Sequence, residues 1–471
     1  MGQTNLLEAQ TDEEDRDTGN ARTRTANFPF SPARFPFFYG WVIAVVGTLG
    51  IFASVPGQTM GVSVFTDHLL VVLSIERIGL TEAYMVGTIL SSFLLPLAGK
   101  FYDRWGARTM VVLASLALGL TLIYLSYCDR IARIVASGLE GTSVSTWLIE
   151  MVVITFGFFL LRFWGQGVLA MVSRNMVTKW FHVRRGLVMG ISGVVMSLAF
   201  SASPQWLSSL VDSFGWRGAW LVLALFLGVG LTAIGWLFYR DSPEECGLLM
   251  DGRRREEPDG KSESTDDSIH EIHFTRGQAV RTYPFWVFNI TLALPCLVVT
   301  AFTFHIEDLG RKEGMMLSET IDIFLRIAVF SVIASLMSGW VSNRVRVRYL
   351  FVLLALMQAV GSLGLLAFGT AVGQWMVAVG YGISGGLLVF LLGVIWPRFY
   401  GRKHLGAISS LNMSVIVFAS AVGPWTFALS ERQTGGYSAA AIACIVYALV
   451  CLVASMAISN PQRASDPERA G

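Results

Sequence analysis

"GKFYDRWGAR", residues 99 to 108, interrupts the chain between two long apolar runs, and "GWVSNRVRVR", residues 339 to 348, does the same in the second half. The opening glycine and closing arginine recur at the same spacing, and Asn343 stands where Asp103 stood. A polar turn repeated after an apolar run points to a duplicated membrane bundle. Working outward, apolar runs of about 20 residues recur along the chain, each able to cross roughly 30 Å of hydrocarbon at 1.5 Å per residue. Twelve are counted, near 38–64, 80–99, 109–127, 148–171, 186–211, 217–239, 285–306, 320–341, 349–369, 373–395, 406–429 and 438–459, and are numbered spans 1 to 12.

Composition agrees with that count. Of 471 residues, 54% are hydrophobic and only 14% charged, against roughly 25% charged in soluble domains. The expected fold is therefore an all-α integral membrane protein, with twelve transmembrane helices in two six-helix bundles. The five cysteines follow no ligand or disulfide spacing and read as small apolar residues. No metal cluster, phosphate-cradling loop or nucleophile motif points to an enzyme, a cofactor or a nucleic-acid partner. Most of the 35 Lys and Arg fall on the side of the two termini, which predicts cytoplasmic termini and a plasma-membrane location, in bacteria the inner membrane.

The first 35 residues are polar, with no cleavable signal, and Leu6 stands where a myristoylation signal needs Ser or Thr. Segments 1–36 and 460–471 are expected as cytoplasmic tails, the first disordered. Between the bundles, assigned to 37–239 and 284–459, runs a loop at 240–283 containing "RRREEPDGKSESTDD". Fainter echoes of the duplication are "WFHVRRG" (180–186) against "RFYGRKH" (398–404), and Pro204 against Pro424. Trp180 joins Trp41, Trp105 and Trp340 in an expected interfacial belt.

Two charges stand inside span 8, in "TIDIFLRIAVFSVIASLMSGW" (320–340): Asp322 and Arg326, one helical turn apart. A mid-span charge costs about 2.5 to 3.5 kcal/mol on insertion scales. The pair can simply neutralise itself, or Arg326 can face an aqueous cavity and hold a carboxylate through two parallel hydrogen bonds. In the second case Asp322 is the proton carrier, since an anion that takes over Arg326 removes the support for the Asp322 carboxylate. Arg162, deep in span 4, is either a second substrate contact, a partner for the other bundle, or a structural arginine on backbone carbonyls. Pro56 and Gly57 break span 1 beside Gln58, as segments bordering a cavity do. Gly186, Gly190 and Gly193 in span 5 allow close helix packing.

These residues resemble the major facilitator superfamily. "GKFYDRWGAR" is similar to its signature loop, with Gly99, Asp103, Arg104, Gly106 and Arg108 in place, and "RFWGQG" (162–167) resembles a second motif through Arg162, Gly165 and Gly167. Within it the chain resembles bacterial relatives of monocarboxylate transporters, through "FYGWVI" (38–43), "WFHVRRGLVMGISG" (180–193), "DSPEECGLLMDG" (241–252) and Asp322 with Arg326. Gln58 departs from the pattern, since animal members carry a lysine there. The resemblance implies a fold of two pseudo-symmetric bundles and alternating access. It also implies a small organic anion, a monocarboxylate, as cargo, with H+ as co-substrate, and a monomer in the bilayer as working unit. The signature loop then acts as a latch between the bundles, weaker in the copy carrying Asn343. The alternatives are an organic-anion exchanger of oxalate/formate type, whose lysine in span 11 is missing here, and a non-transporting sensor.

Overall fold

The computed structural model describes residues 27–139, 145–252, 272–341 and 344–464. The extreme N-terminus with Leu6, all of "RRREEPDGKSESTDD", Asn343 and the last seven residues lie outside them, so the expectations for those segments have no structural counterpart.

Among the described residues ten helices are long and apolar enough to cross a membrane, and two of them are double. Arg77–Ser126 folds back at Gly106 (φ 76°), giving spans 2 and 3, and Arg185–Leu225 folds back at Gly215 (φ 68°), giving span 5 and the start of span 6. Both turns need the left-handed backbone that glycine adopts without strain. Twelve crossings result. Span 1 is Gly40–Phe52 followed by short helical pieces, because the turn at Val55–Gly57 interrupts it. Span 4 is Thr146–Trp180, with a wider π-helical stretch at Arg162–Leu169. Spans 7 to 12 are Tyr283–Lys312, Leu317–Val341, Val347–Leu365, Ala371–Tyr400, Leu405–Thr434 and Ser438–Met456.

The two bundles touch where side chains are smallest. A β-carbon on Gly190 would lie 2.9 Å from the Ser335 carbonyl, and one on Gly339 would lie 2.8 Å from the Gly186 carbonyl. Spans 5 and 8 therefore pack backbone to backbone, as small residues permit in a membrane where lipid and side chain are equally apolar. Across spans 2 and 11, a β-carbon on Gly99 would overlap Ser410 and the Gly406 carbonyl.

Part of the expected N-terminal tail is ordered. Arg240, 1% exposed, donates to the Phe28 and Phe30 carbonyls at 3.3 and 3.4 Å. Phe28 meets Trp236, and Phe30 meets Tyr39 and Phe238. Aromatic contacts thus tie the stretch around Phe28 and Phe30 to the first bundle. Trp180 is likewise 0% exposed, packed on Tyr39 and Phe38 rather than set in the interfacial belt.

Candidate functional site

Span 4 supplies two polar side chains to a cavity between the bundles. Gln166, Ala170 and Arg174 recur every fourth residue, so they line one side of the helix. With residues of spans 1, 5, 10 and 11 they enclose a cavity of about 140 Å³ between the bundles. The walls are apolar, including Met189, Met196, Phe200, Leu388, Leu392 and Met413. Four lining side chains can hydrogen-bond strongly: Gln58, Gln166, Arg174 and Ser192. Ser192 is already bonded to Thr48 at 2.8 Å, and Gln58 donates to Ser54 at 3.2 Å. Arg174 makes no hydrogen bond or ion pair with any described protein group. No Asp or Glu belongs to the lining.

A guanidinium facing an apolar cavity has the chemistry to hold an anion. It has five donors in a fixed fork that matches a carboxylate, and its charge persists at any physiological pH. Hydropathy ends span 4 at residue 171, ahead of Arg174, whereas the helix runs on to Trp180. Tertiary contacts keep the helix going: Ser173 bonds Tyr239 at 2.9 Å, and Asn175 donates to Ser409 of span 11 at 2.7 Å. The four-residue recurrence through Gln166 was the signal that would have found Arg174.

Arg162 is 0% exposed and serves as a tie. Nη1 donates to the Gly57 carbonyl in the break of span 1 at 3.0 Å, and Nη2 to Ser420 of span 11 at 2.9 Å. Its guanidinium stacks on Tyr84 at 5.2 Å. It joins backbone carbonyl and opposite bundle, and it is not part of the cavity lining.

The structure moves Asp322 and Arg326 away from the cavity. Asp322 is exposed, on the face that continues through Leu325, Val329, Ile333, Leu336 and Trp340, all exposed. That apolar stripe is the surface that meets lipid. The face of span 8 turned inward is Ser331, which bonds Ser197 of span 5 at 3.0 Å, and Ser335, which bonds the Gly386 carbonyl of span 10. Arg326 stacks over the indole of Trp375 at 5.2 Å and makes no ion pair with Asp322. Long charged side chains near a span end reach for the interface in this way. Replacing Arg326 with methionine should therefore shift Tm by only a degree or two, since an exposed cation–π contact is worth about 0.5–1 kcal/mol. Arg162→Met loses two charge-assisted bonds of about 1.5–3 kcal/mol each and should cost roughly 5 °C or more. Thermal unfolding in detergent checks the order; equal losses would contradict these placements.

The signature loop joins the bundles at the end where the described terminal segments lie. Asp103 accepts from the backbone N–H groups of Gly406 at 2.7 Å and Ala407 at 2.8 Å, so a carboxylate caps the start of span 11. Arg104 is exposed, and Arg108 Nε donates to the Tyr239 carbonyl at 3.1 Å. The stretch after span 6 braces this end. Asp241 accepts from Ala107 N–H at 3.0 Å, just past the Gly106 turn, and pairs with Lys179 at 2.7 Å. Asp251 accepts three backbone N–H groups, from His182, Val183 and Arg184, and so holds the loop entering span 5. Beside them burial pushes the Cys246 thiol up to about 12, as befits an inert packing residue.

A twelve-span, two-bundle fold with a cavity between the bundles is the architecture of a membrane transporter. A family profile of the Major Facilitator Superfamily matches residues 47–424, and the chain belongs to that family. It is a multi-pass membrane transporter and not an enzyme. It is 24% identical over 387 residues to monocarboxylate transporter 4 of Gallus gallus, covering 77% of this chain and 68% of that protein. It is 25% identical to riboflavin transporter RibJ of Trypanosoma brucei brucei over 49% of this chain. It is also 25% identical to the probable sulfoacetate transporter SauU of Cupriavidus necator, over 36% of this chain. The matches span only 39% and 36% of those two relatives. Among solved structures, a bacterial homologue of the iron transporter ferroportin in an outward-facing state superposes with a TM-score of 0.65 at 13% identity, over 90% of this chain and 99% of that one. The proton:xylose symporter XylE gives 0.61 at 14% identity, over 89% and 94% of the two chains.

Proposed function

We propose that the protein carries a small organic monoanion, a monocarboxylate, through the central cavity by alternating access, in the plasma membrane, as a monomer with both termini cytoplasmic. One observation carries this reading: Arg174 is a guanidinium without a protein acceptor, inside an otherwise apolar cavity between the bundles. A carboxylate on Arg174 and an apolar body against Met189, Met196 and Leu392 satisfy both halves of the site. The similarity to a monocarboxylate transporter and to a probable sulfoacetate transporter supports an anionic cargo.

The same site bears on the mode of transport. A loaded carrier is neutral at the cavity, whereas the empty one must close around an uncompensated guanidinium at a cost of several kcal/mol. Proton symport avoids that cost with an internal carboxylate that pairs the cation on the return. The lining holds none, and the proton-coupled reading rests on Asp322, which is exposed outside it. Exchange of one anion for another is the mode we infer. Uptake of labelled butyrate into proteoliposomes should be at least about tenfold faster when they contain unlabelled anion than when empty, for a barrier difference above roughly 1.4 kcal/mol. A pH gradient should not replace the internal anion. Uptake into empty vesicles that follows the pH gradient and disappears in Asp322→Asn would restore the proton-coupled reading.

A further inference from the structure

The two copies of the repeated turn do different things. The first carries Asp103, whose carboxylate grips the start of span 11. The second follows span 8, at the same end of the molecule, and has no acid but three arginines at alternate positions, Arg344, Arg346 and Arg348. Arg344 and Arg346 are exposed, and none of the three makes an ion pair with a described residue. Two exposed aromatic side chains bracket them, Trp340 and Tyr349. The Arg344 guanidinium lies over the Trp340 indole at 4.2 Å, and Arg348 donates to the Tyr349 hydroxyl at 3.0 Å. Rings with one apolar side and one polar edge settle at the depth of lipid headgroups, so these two mark that depth.

The approach to the arginines is apolar. Leu325, Val329, Ile333 and Leu336 form the exposed stripe of span 8 that ends on Trp340. An acyl chain lying along that stripe brings its headgroup to Arg344. A guanidinium matches two phosphate oxygens with parallel hydrogen bonds, and basic clusters just past a span draw anionic lipids.

We infer that Arg344 and Arg346, at the end of span 8, bind the phosphate of an anionic phospholipid from the leaflet at the signature-loop end, with its acyl chains along the apolar stripe of that span. The site lies outside the cavity and stands whatever the cargo.

The test is a lipid titration of the full chain in detergent, read by native mass spectrometry, with dioleoylphosphatidylglycerol compared to dioleoylphosphatidylcholine. A basic side chain beside an anionic headgroup is worth about fivefold in affinity, so two should favour the first phosphatidylglycerol by about thirtyfold over phosphatidylcholine. The preference should shrink as salt is raised. The double variant Arg344→Gln with Arg346→Gln should lose most of it and bind phosphatidylcholine as before. Arg432→Gln, at an exposed position at the far end of span 11, should keep it. The comparison of lipids in the unaltered protein stands even if the double variant does not fold. Equal affinity for the two lipids, or an undiminished preference in the double variant, would overturn the inference. So would displacement of phosphatidylglycerol by millimolar inorganic phosphate, since a lipid held also by its chains is not exchanged for a free anion.

Discussion

Arg174→Gln should reduce uptake of a labelled small carboxylate by about two orders of magnitude while the protein folds normally. A buried charge pair that loses one partner costs about 2–5 kcal/mol, and each 1.4 kcal/mol is roughly tenfold. The guanidinium makes no hydrogen bond or ion pair among the described residues, so its removal deletes no such contact and relieves an uncompensated charge. Tm should stay level or rise. Arg174→Lys keeps the charge without the fork and should fall between the two. Arg326→Ala, at the exposed edge of span 8 beside Trp375, serves as the control and should transport at near the unaltered rate. Normal uptake by Arg174→Gln alongside inactive Arg326→Ala would return the anion site to span 8.

Asp103→Ala should open the end of the molecule that the signature loop closes. The carboxylate makes two bonds to the first turn of span 11, and charge-assisted bonds are worth about 1.5–3 kcal/mol each. Losing about 3 kcal/mol shifts a two-state equilibrium by roughly 150-fold. Spin labels at Trp105→Cys and Lys403→Cys, both exposed positions flanking the contact, report the distance between the bundles. The expected result is a population displaced to longer distances. Gly99→Val should move it the same way by a different cause, since a side chain there overlaps Ser410. An unchanged distribution in both variants would show that the contact does not hold the bundles closed.

How much was legible beforehand depended on what each residue must do locally. The Gly106 turn was readable, because a positive φ between two apolar runs demands glycine whatever surrounds it. So was the break at Pro56 and Gly57. Asp103 stood out by its place in the repeated turn, yet its acceptor role lies more than 300 residues away in span 11. Asp241 and Asp251 looked like ordinary loop acids, and only the loops folded over them show that they cap the span 2–3 turn and the entry to span 5.

Asp322 and Arg326 show what spacing leaves open. Their spacing is one helical turn, and neither residue lines the cavity. In a soluble helix, polarity marks the outside, but a membrane helix is apolar toward both lipid and core, so spacing alone leaves its rotation undetermined. Leu325, Val329 and Ile333 could face either way until spans 5 and 10 occupied the side of Ser331 and Ser335.

The sequence by itself determined the number of crossings, their six-plus-six grouping and the positions of the turns, because hydrophobic length and glycine geometry act over a few residues at a time. Only the tertiary structure decided which cation faces the cavity. Ser173, Arg174 and Asn175 look like a polar loop in isolation. They become one wall of a cavity because span 11 and the Tyr239 hydroxyl satisfy the groups on either side and leave the guanidinium without a partner. Desolvation with no protein acceptor is a property of the enclosure, and no window of sequence contains it.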